Sequence, residues 1–135
     1  MLIILDVNTL ISAVLTPRGP SAELIRAVRR GDVESVVSPT LLAELRGVLS
    51  RPKFRRYASV EQVGRYVAEL EQLCRLAPDP PVQVRRTRDP DDEYLIALAL
   101  SVSADLLVSG DKDLLDAGLR SPVVVTPRQA VERLS

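Results

Sequence analysis

Met1-Leu2-Ile3-Ile4-Leu5-Asp6-Val7-Asn8-Thr9 opens the chain with an unbroken apolar run that stops on a carboxylate. A segment apolar at every position fits a strand buried on both faces of a parallel sheet, because a strand with one wet face alternates instead. Asp6 has no place in such a core. In open α/β sheets ligands gather outside the carboxyl ends of the strands, so an acid there is placed for a metal or a phosphate. The same acid also suits a turn or the cap of a following helix, and this segment alone leaves both roles open.

Outward from that strand, helical and extended patterns alternate. Thr9 to Leu15 is a short apolar segment closed by Pro17, Gly19 and Pro20; Ser21 to Arg30 then reads as an amphipathic helix ended by Gly31. Val33 to Val37 predicts a second strand. Ser38-Pro39, a cap followed by proline in the first helical turn, opens a helix with Leu41, Leu42, Leu45, Val48 and Leu49 on one face, and Pro52 ends it. A basic connector, Arg51 to Tyr57, leads to the capping-box pattern Ser59-Val60-Glu61-Gln62 and a helix expected to run to about Leu76, before Pro78. Pro78 to Arg88 reads as a surface loop, with Val82 and Val84 a short edge strand. Asp89-Pro90 opens a helix apolar nearly all round from Tyr94 to Leu100. Leu106-Leu107-Val108 and Val123-Val124-Val125 predict further short buried strands, the second running through Thr126-Pro127 into a terminal helix. This alternation predicts a three-layer α/β/α sandwich around a mainly parallel sheet, one domain over residues 1–135.

Composition narrows the chemistry. With 135 residues, 46% of them hydrophobic, the chain is long enough for one sizeable core. Acidic and basic residues balance at 18 each, so binding to a polyanion has to come from local clusters. Cys74 is the single cysteine, which removes any internal disulfide and fits a reducing cytoplasm. The segments lack a signal peptide and any apolar stretch near the roughly 20 residues needed to cross a bilayer, so a soluble cytoplasmic protein without a membrane partner is expected. There is no histidine. Imidazole-dependent mechanisms, Ser-His-Asp and Cys-His alike, are excluded, and hydrolysis has to use carboxylates, hydroxyls, the one thiol or a metal.

Four acids share a placement that the other charges do not. Asp6 follows the first strand, Glu44 lies in the helix after the second, Asp92 sits in the first turn of the apolar helix, and Asp111 follows the strand ending near Ser109. Right-handed strand-to-helix connections put such positions at one edge of the sheet, where the carboxylates repel unless a cation neutralises them. Oxygen ligands favour a hard ion, Mg²⁺ or Mn²⁺, over zinc. Taken singly, each acid has an ordinary role: Asp91, Asp92 and Glu93 suit a helix N-terminus, Asp111 and Asp113 a turn beside Gly110, and Glu44 a solvated helix flank.

These residues carry a resemblance that spans essentially the whole chain. Leu5-Asp6-Val7-Asn8-Thr9-Leu10, Ser38-Pro39-Thr40-Leu41-Leu42-Ala43-Glu44, Val48-Leu49-Ser50-Arg51-Pro52-Lys53-Phe54, Arg88-Asp89-Pro90-Asp91-Asp92, Leu107-Val108-Ser109-Gly110-Asp111 with Leu114-Leu115, and Val125-Thr126-Pro127 follow one another in an order that resembles the PIN-domain nucleases, and among them the small prokaryotic toxins of type II toxin-antitoxin modules. The resemblance implies a catalytic quartet of Asp6, Glu44, Asp92 and Asp111. It implies Mg²⁺ or Mn²⁺ held by Asp6, Asp92 and Asp111, with Asn8 and Ser109 as polar supports, and an RNA substrate. Ser109 stands where many members carry Thr. Asp91 competes with its neighbour Asp92 for the ligand role, and Asp113 is a further candidate.

A bound divalent ion lowers the pKa of its water and offsets charge on the phosphoryl oxygens, so no side-chain nucleophile is needed. Arg46, Arg51, Lys53, Arg55 and Arg56 after the Glu44 helix, and Arg85, Arg86 and Arg88 before the Asp92 helix, are the candidate RNA contacts. The resemblance also implies an antitoxin partner and a homodimer through the helices around Ser21 to Arg30 and Ser59 to Leu76. Two alternatives stand beside the ribonuclease. A haloacid-dehalogenase-like phosphatase also begins on a strand ending in Asp, but it wants a second Asp where this chain has Asn8; a non-catalytic binding module needs no site at all.

Overall fold

The computed structural model describes residues 1–81 and 90–134. The opening apolar run forms β1 (Leu2–Leu5), and the chain turns at Asp6 into α1 (Val7–Leu15) and α2 (Pro20–Arg30). β2 (Glu34–Val37) and α3 (Pro39–Leu49) follow, then a 3₁₀ turn (Pro52–Phe54), α4 (Val60–Leu73) and β3 (Arg75–Leu76). The second half holds α5 (Pro90–Ser101), β4 (Leu106–Val108), α6 (Lys112–Leu115), β5 (Val123–Val125) and α7 (Pro127–Leu134). The strands lie in the order β3-β2-β1-β4-β5, every described pair parallel, with helices completing the α/β/α sandwich.

Local chemistry sets most boundaries where the sequence places them. Gly31 ends α2 in the left-handed conformation, φ 79°, which a residue without a Cβ adopts at no steric cost. Ser38 caps α3, Pro39 supplies a fixed φ where no amide donor is needed, and Ser59 and Gln62 form the reciprocal capping box of α4. Thr126 and Gln129 make the same reciprocal pair at α7. Ile3, Ile4 and Leu5 are buried, as are Val36, Val37 and the whole of β4, so the sheet centre is dry on both faces. Leu24 from α2, Leu45 and Leu49 from α3 and Leu70 from α4 are fully enclosed, each contributing about 1.5–3 kcal/mol of burial.

Two expectations need correction. The helix opened by Ser59 stops at Leu73 rather than Leu76, because Cys74 turns extended (φ −94°, ψ 158°) and Arg75 and Leu76 pair with Val36 and Val37 as an edge strand. β5 is not a buried strand but the opposite edge of the sheet, with Val123 exposed and only Val125 fully covered. The strand expected at Val82 and Val84 lies outside the described residues. No helix among the described residues is long and apolar enough to cross a membrane.

Candidate metal centre

The strand order reverses at β1: the chain passes from β1 outward to β2 and β3, then returns to β4 on the other side. Ligands in open α/β sheets bind at such a switch point, beyond the carboxyl ends of the strands. Asp6 leaves the end of β1 there, and Ser109 and Asp111 leave the end of β4. Their backbones interlock, since the Asp6 amide donates to the Val108 carbonyl at 3.0 Å and the Ser109 amide to Val125 at 2.9 Å.

Around that point lies a cleft of about 100 Å³ lined by Asp6, Val7, Asn8, Leu41, Glu44, Asp91, Asp92, Tyr94, Leu95 and Asp111. The four acids singled out from the sequence thus share one pocket, and Asp91 joins them. Helical spacing explains the company. Leu41 and Glu44 are three apart on α3, and Asp91, Tyr94 and Leu95 fall at i, i+3 and i+4 on α5, so each helix turns one mixed stripe to the cleft. A second cavity, about 300 Å³ and lined by Ala13, Val14, Ile25, Leu49, Val63 and Tyr66 among others, shares no described residue with the acidic one.

Asp6 is 5% exposed and fulfils the capping role open to it. Its Oδ1 accepts the Thr9 amide at 2.7 Å, capping α1, while its Oδ2 accepts the Ser109 hydroxyl at 2.6 Å. A carboxylate offers about four lone-pair sites, so two remain to face the cleft. The Ser109 oxygen in turn accepts the Asp111 amide at 3.0 Å, and Asp111 caps α6 by accepting the Asp113 amide at 2.9 Å. One buried hydroxyl therefore fixes both strand-end acids. Asp92 is buried and Asp91 exposed, although both reach the cleft; Asn8 lines it from the exposed side. Asp113 is exposed and outside the lining.

The described lining brings five carboxylates, Asp6, Glu44, Asp91, Asp92 and Asp111, around a small space. Such a donor set, oxygen throughout, fits a hard divalent cation in chemistry and sign. Among the described residues no group of three or more His, Cys, Asp and Glu is already arranged as a metal cage.

The basic candidates separate in the structure. Arg46, Arg51, Lys53 and Arg56 are exposed, Lys53 lying 5.1 Å from the centre of the Phe54 ring. Arg55 instead turns inward, its Nη2 donating to the Leu49 carbonyl at the end of α3. Arg85, Arg86 and Arg88 lie outside the described residues.

Sequence patterns alone do not single out Tyr94 and Asp79. The Tyr94 hydroxyl donates to Asp79 Oδ1 at 2.5 Å and also meets the Ser38 hydroxyl, while Asp79 accepts the Thr40 hydroxyl at 2.8 Å and its amide at 3.2 Å. Burial opposes ionisation of Asp79, but the hydrogen bonds from Tyr94, Thr40 and Ser38 outweigh it and hold the carboxyl below the usual range. Burial, and then the bond to Asp79, push the Tyr94 phenol up to about 12. Only the i, i+3 step from Asp91 hints at Tyr94 in the sequence. Glu93 is also buried, on a face of α5 away from the cleft, and nothing but the all-round apolar character of that helix foretells it.

A family model described as PIN domain matches residues 2–113. An uncharacterized protein of Methanocaldococcus jannaschii, MJ1680, is 26% identical over 113 residues, which is 84% of this chain and 72% of that protein. Among solved structures, PAE2754 from Pyrobaculum aerophilum superimposes with a TM-score of 0.67 at 16% identity, covering 98% of this chain and 88% of its own. FitAB, solved bound to a DNA fragment, gives 0.61 at 22% identity over 93% and 94%, and the PIN domain of human SMG5 gives 0.52 at 13% over the full length of both. At these identities the three structures support the fold alone.

Proposed function

The chain belongs to the PIN-domain family, whose members are generally metal-dependent nucleases, and from that membership we propose that it is a Mg²⁺- or Mn²⁺-dependent endoribonuclease, the toxin of a type II toxin-antitoxin module. The observation that carries the proposal is the single cleft that gathers Asp6, Glu44, Asp91, Asp92 and Asp111 at the switch point of the sheet. A divalent ion there supplies an activated water and offsets charge on the phosphodiester.

The chain's own residues do the rest. Asp6, held on both oxygens by Thr9 and Ser109, presents its remaining lone pairs at a fixed angle, and Asp92 faces it from α5 as the second ligand. Asp111, tied to the same Ser109 hydroxyl, serves a second or weaker ion. Glu44 is a ligand or orients the attacking water from the α3 wall, and Asn8 adds a polar contact at the rim. Val7, Leu41 and Leu95 provide apolar wall that limits bulk water. Phosphates of the RNA are met outside the cleft by the exposed Arg46, Arg51 and Lys53, with Arg86 and Arg88 as further candidates. The antitoxin blocks the cleft. A homodimer forms through α2 and α4, whose apolar residues Ile25 and Val63 border the larger cavity.

Cleavage of RNA by the purified chain, with and without Mg²⁺ or Mn²⁺, tests the assignment against Asp6→Asn. Asn caps helices about as well as Asp, so the fold should survive. Cleavage that needs the ion and vanishes in the variant is expected. Full activity in Asp6→Asn, or activity in excess chelator, overturns the proposal; phosphate release from small monoesters without RNA cleavage favours the phosphatase.

A further inference from the structure

We infer that Tyr94 is a positioning residue for the acidic cleft, its hydroxyl latching the first turns of α5 to the N-terminus of α3 through Ser38 and Asp79 and so setting the separation of Asp91 and Asp92 from Glu44. The inference rests on the nuclease proposal for its functional meaning, but the latch itself is geometric. Three segments remote in sequence meet at one oxygen. Ser38, fully buried, caps α3 by accepting the Leu41 amide at 3.3 Å; Thr40, in the first turn of the same helix, binds Asp79 twice; and Tyr94 reaches both Ser38 and Asp79 from α5.

Among the described residues α3 packs mainly on α1 and α4, whereas α5 packs mainly on β1 and β4, so the two helices that form opposite walls of the cleft rest on different parts of the fold. Asp79 is itself held in place, because the Ala77 amide donates to the Val37 carbonyl at 2.8 Å and extends the β2/β3 ladder to within two residues of it. Pro78, Pro80 and Pro81 flank the carboxylate and restrict the backbone that carries it. Tyr94 is only half-buried, packs against the core and is itself a lining residue of the cleft, so its hydroxyl ties together elements that border the site. Two carboxylate walls that must close on one small ion need a fixed spacing, and a shift of a few tenths of an ångström changes how many oxygens reach it.

The test compares Tyr94→Phe, which removes only the hydroxyl, with Asp79→Ala, which removes the acceptor, and Asp79→Asn, which keeps an acceptor oxygen. Mn²⁺ affinity of the metal-free protein is read by isothermal titration calorimetry well below the thermal midpoint, alongside kcat and KM on RNA. Tyr94→Phe and Asp79→Ala should each weaken Mn²⁺ binding by about 10- to 100-fold and lower kcat more than they raise KM, with Asp79→Asn restoring most of the affinity. The double variant Tyr94→Phe/Asp79→Ala should be no worse than the poorer single one. Wild-type affinity and kcat in Tyr94→Phe overturn the latch while leaving the nuclease standing. Weaker Mn²⁺ binding in Tyr94→Phe than in wild type, where the wild type itself cuts no RNA, supports the latch and overturns the nuclease.

Discussion

The hydroxyl of Ser109 donates to the carboxylate of Asp6 at 2.6 Å across 103 residues of sequence, and the same oxygen accepts the amide of Asp111 at 3.0 Å. Ser109 is fully enclosed. Ser109→Ala is expected to destabilise the fold by about 1–3 kcal/mol, since it strips a buried charged acceptor of a partner. It should also weaken metal binding or cleavage by about 10- to 100-fold, as losing the partner that orients a ligand does. Ser109→Thr keeps the hydroxyl and should retain most of the activity. Denaturant midpoints and cleavage rates of both variants check this; an alanine variant as active as wild type removes Ser109 from the site.

Alkaline pH tests a second buried hydroxyl. Tyr66 donates to the Leu10 carbonyl at 2.8 Å, and burial is the chief cause that raises its phenol above the ordinary value of 10.0. A raised pKa in the folded state means that folding holds the proton more tightly, so the contribution is complete below pH 10 and is lost as pH climbs beyond it. Tyr66→Phe forfeits the hydrogen bond, about 0.5–1.5 kcal/mol at neutral pH. The gap in urea midpoint between wild type and variant should therefore narrow steadily above pH 10. A gap that stays constant to pH 11 contradicts the burial of this phenol.

What the sequence makes legible follows from the range of the forces involved. The strands β1 and β4 announce themselves because each is apolar at every position, α3 and α4 begin where a serine side chain caps the first amides, and α2 begins at Pro20, whose fixed φ suits the first helical turn. Asp6, Glu44, Asp92 and Asp111 can be placed together because strand-to-helix junctions are positions in the chain as well as in space. β3 escapes because its two residues stabilise nothing by themselves; they are a strand only through Val36 and Val37, and Leu73 and Leu76 mimic a continuing helical face although both are exposed. α6, a single turn, is hidden by the Gly110-Asp111 turn signal that precedes it. Tyr94 is silent because its partner Ser38 is 56 residues away, and no local pattern encodes such a meeting.

The basic residues after α3 should divide by function as they divide by geometry. Arg51 is exposed, whereas Arg55 is half-buried and its guanidinium donates to the Leu49 carbonyl, with Nε and Nη1 enclosed. If Arg51 meets a phosphate, Arg51→Ala weakens RNA binding, reduces the slope of log affinity against log salt by about 0.7, and leaves the melting temperature unchanged. Arg55→Ala should do the reverse, lowering stability by about 1–3 kcal/mol through the uncapped end of α3 while the salt slope holds. Binding isotherms at three salt concentrations, paired with thermal melts, separate the two. Equal salt slopes for wild type and Arg51→Ala remove Arg51 from the RNA path.

Cys74 reports on the opening of β3. The thiol is buried where α4 gives way to the edge strand, and burial, partly offset by a hydrogen bond with Ser35, pushes it up to about 11. Only the thiolate attacks disulfide reagents, so at pH 8 the native chain holds both too little thiolate and too little access. Reaction with an aromatic disulfide should be slow in the native protein and fast in denaturant. Its rate under native conditions should follow the local opening of β3 from Val36 and Val37 rather than reagent concentration once the reagent is in excess. Ser35→Ala removes the hydrogen bond that favours the thiolate and should slow labelling further if the folded state itself reacts. An unchanged rate in that variant, saturating in reagent, assigns the reaction to the opened edge; rapid, concentration-dependent labelling of the native wild type contradicts the enclosed position of the thiol.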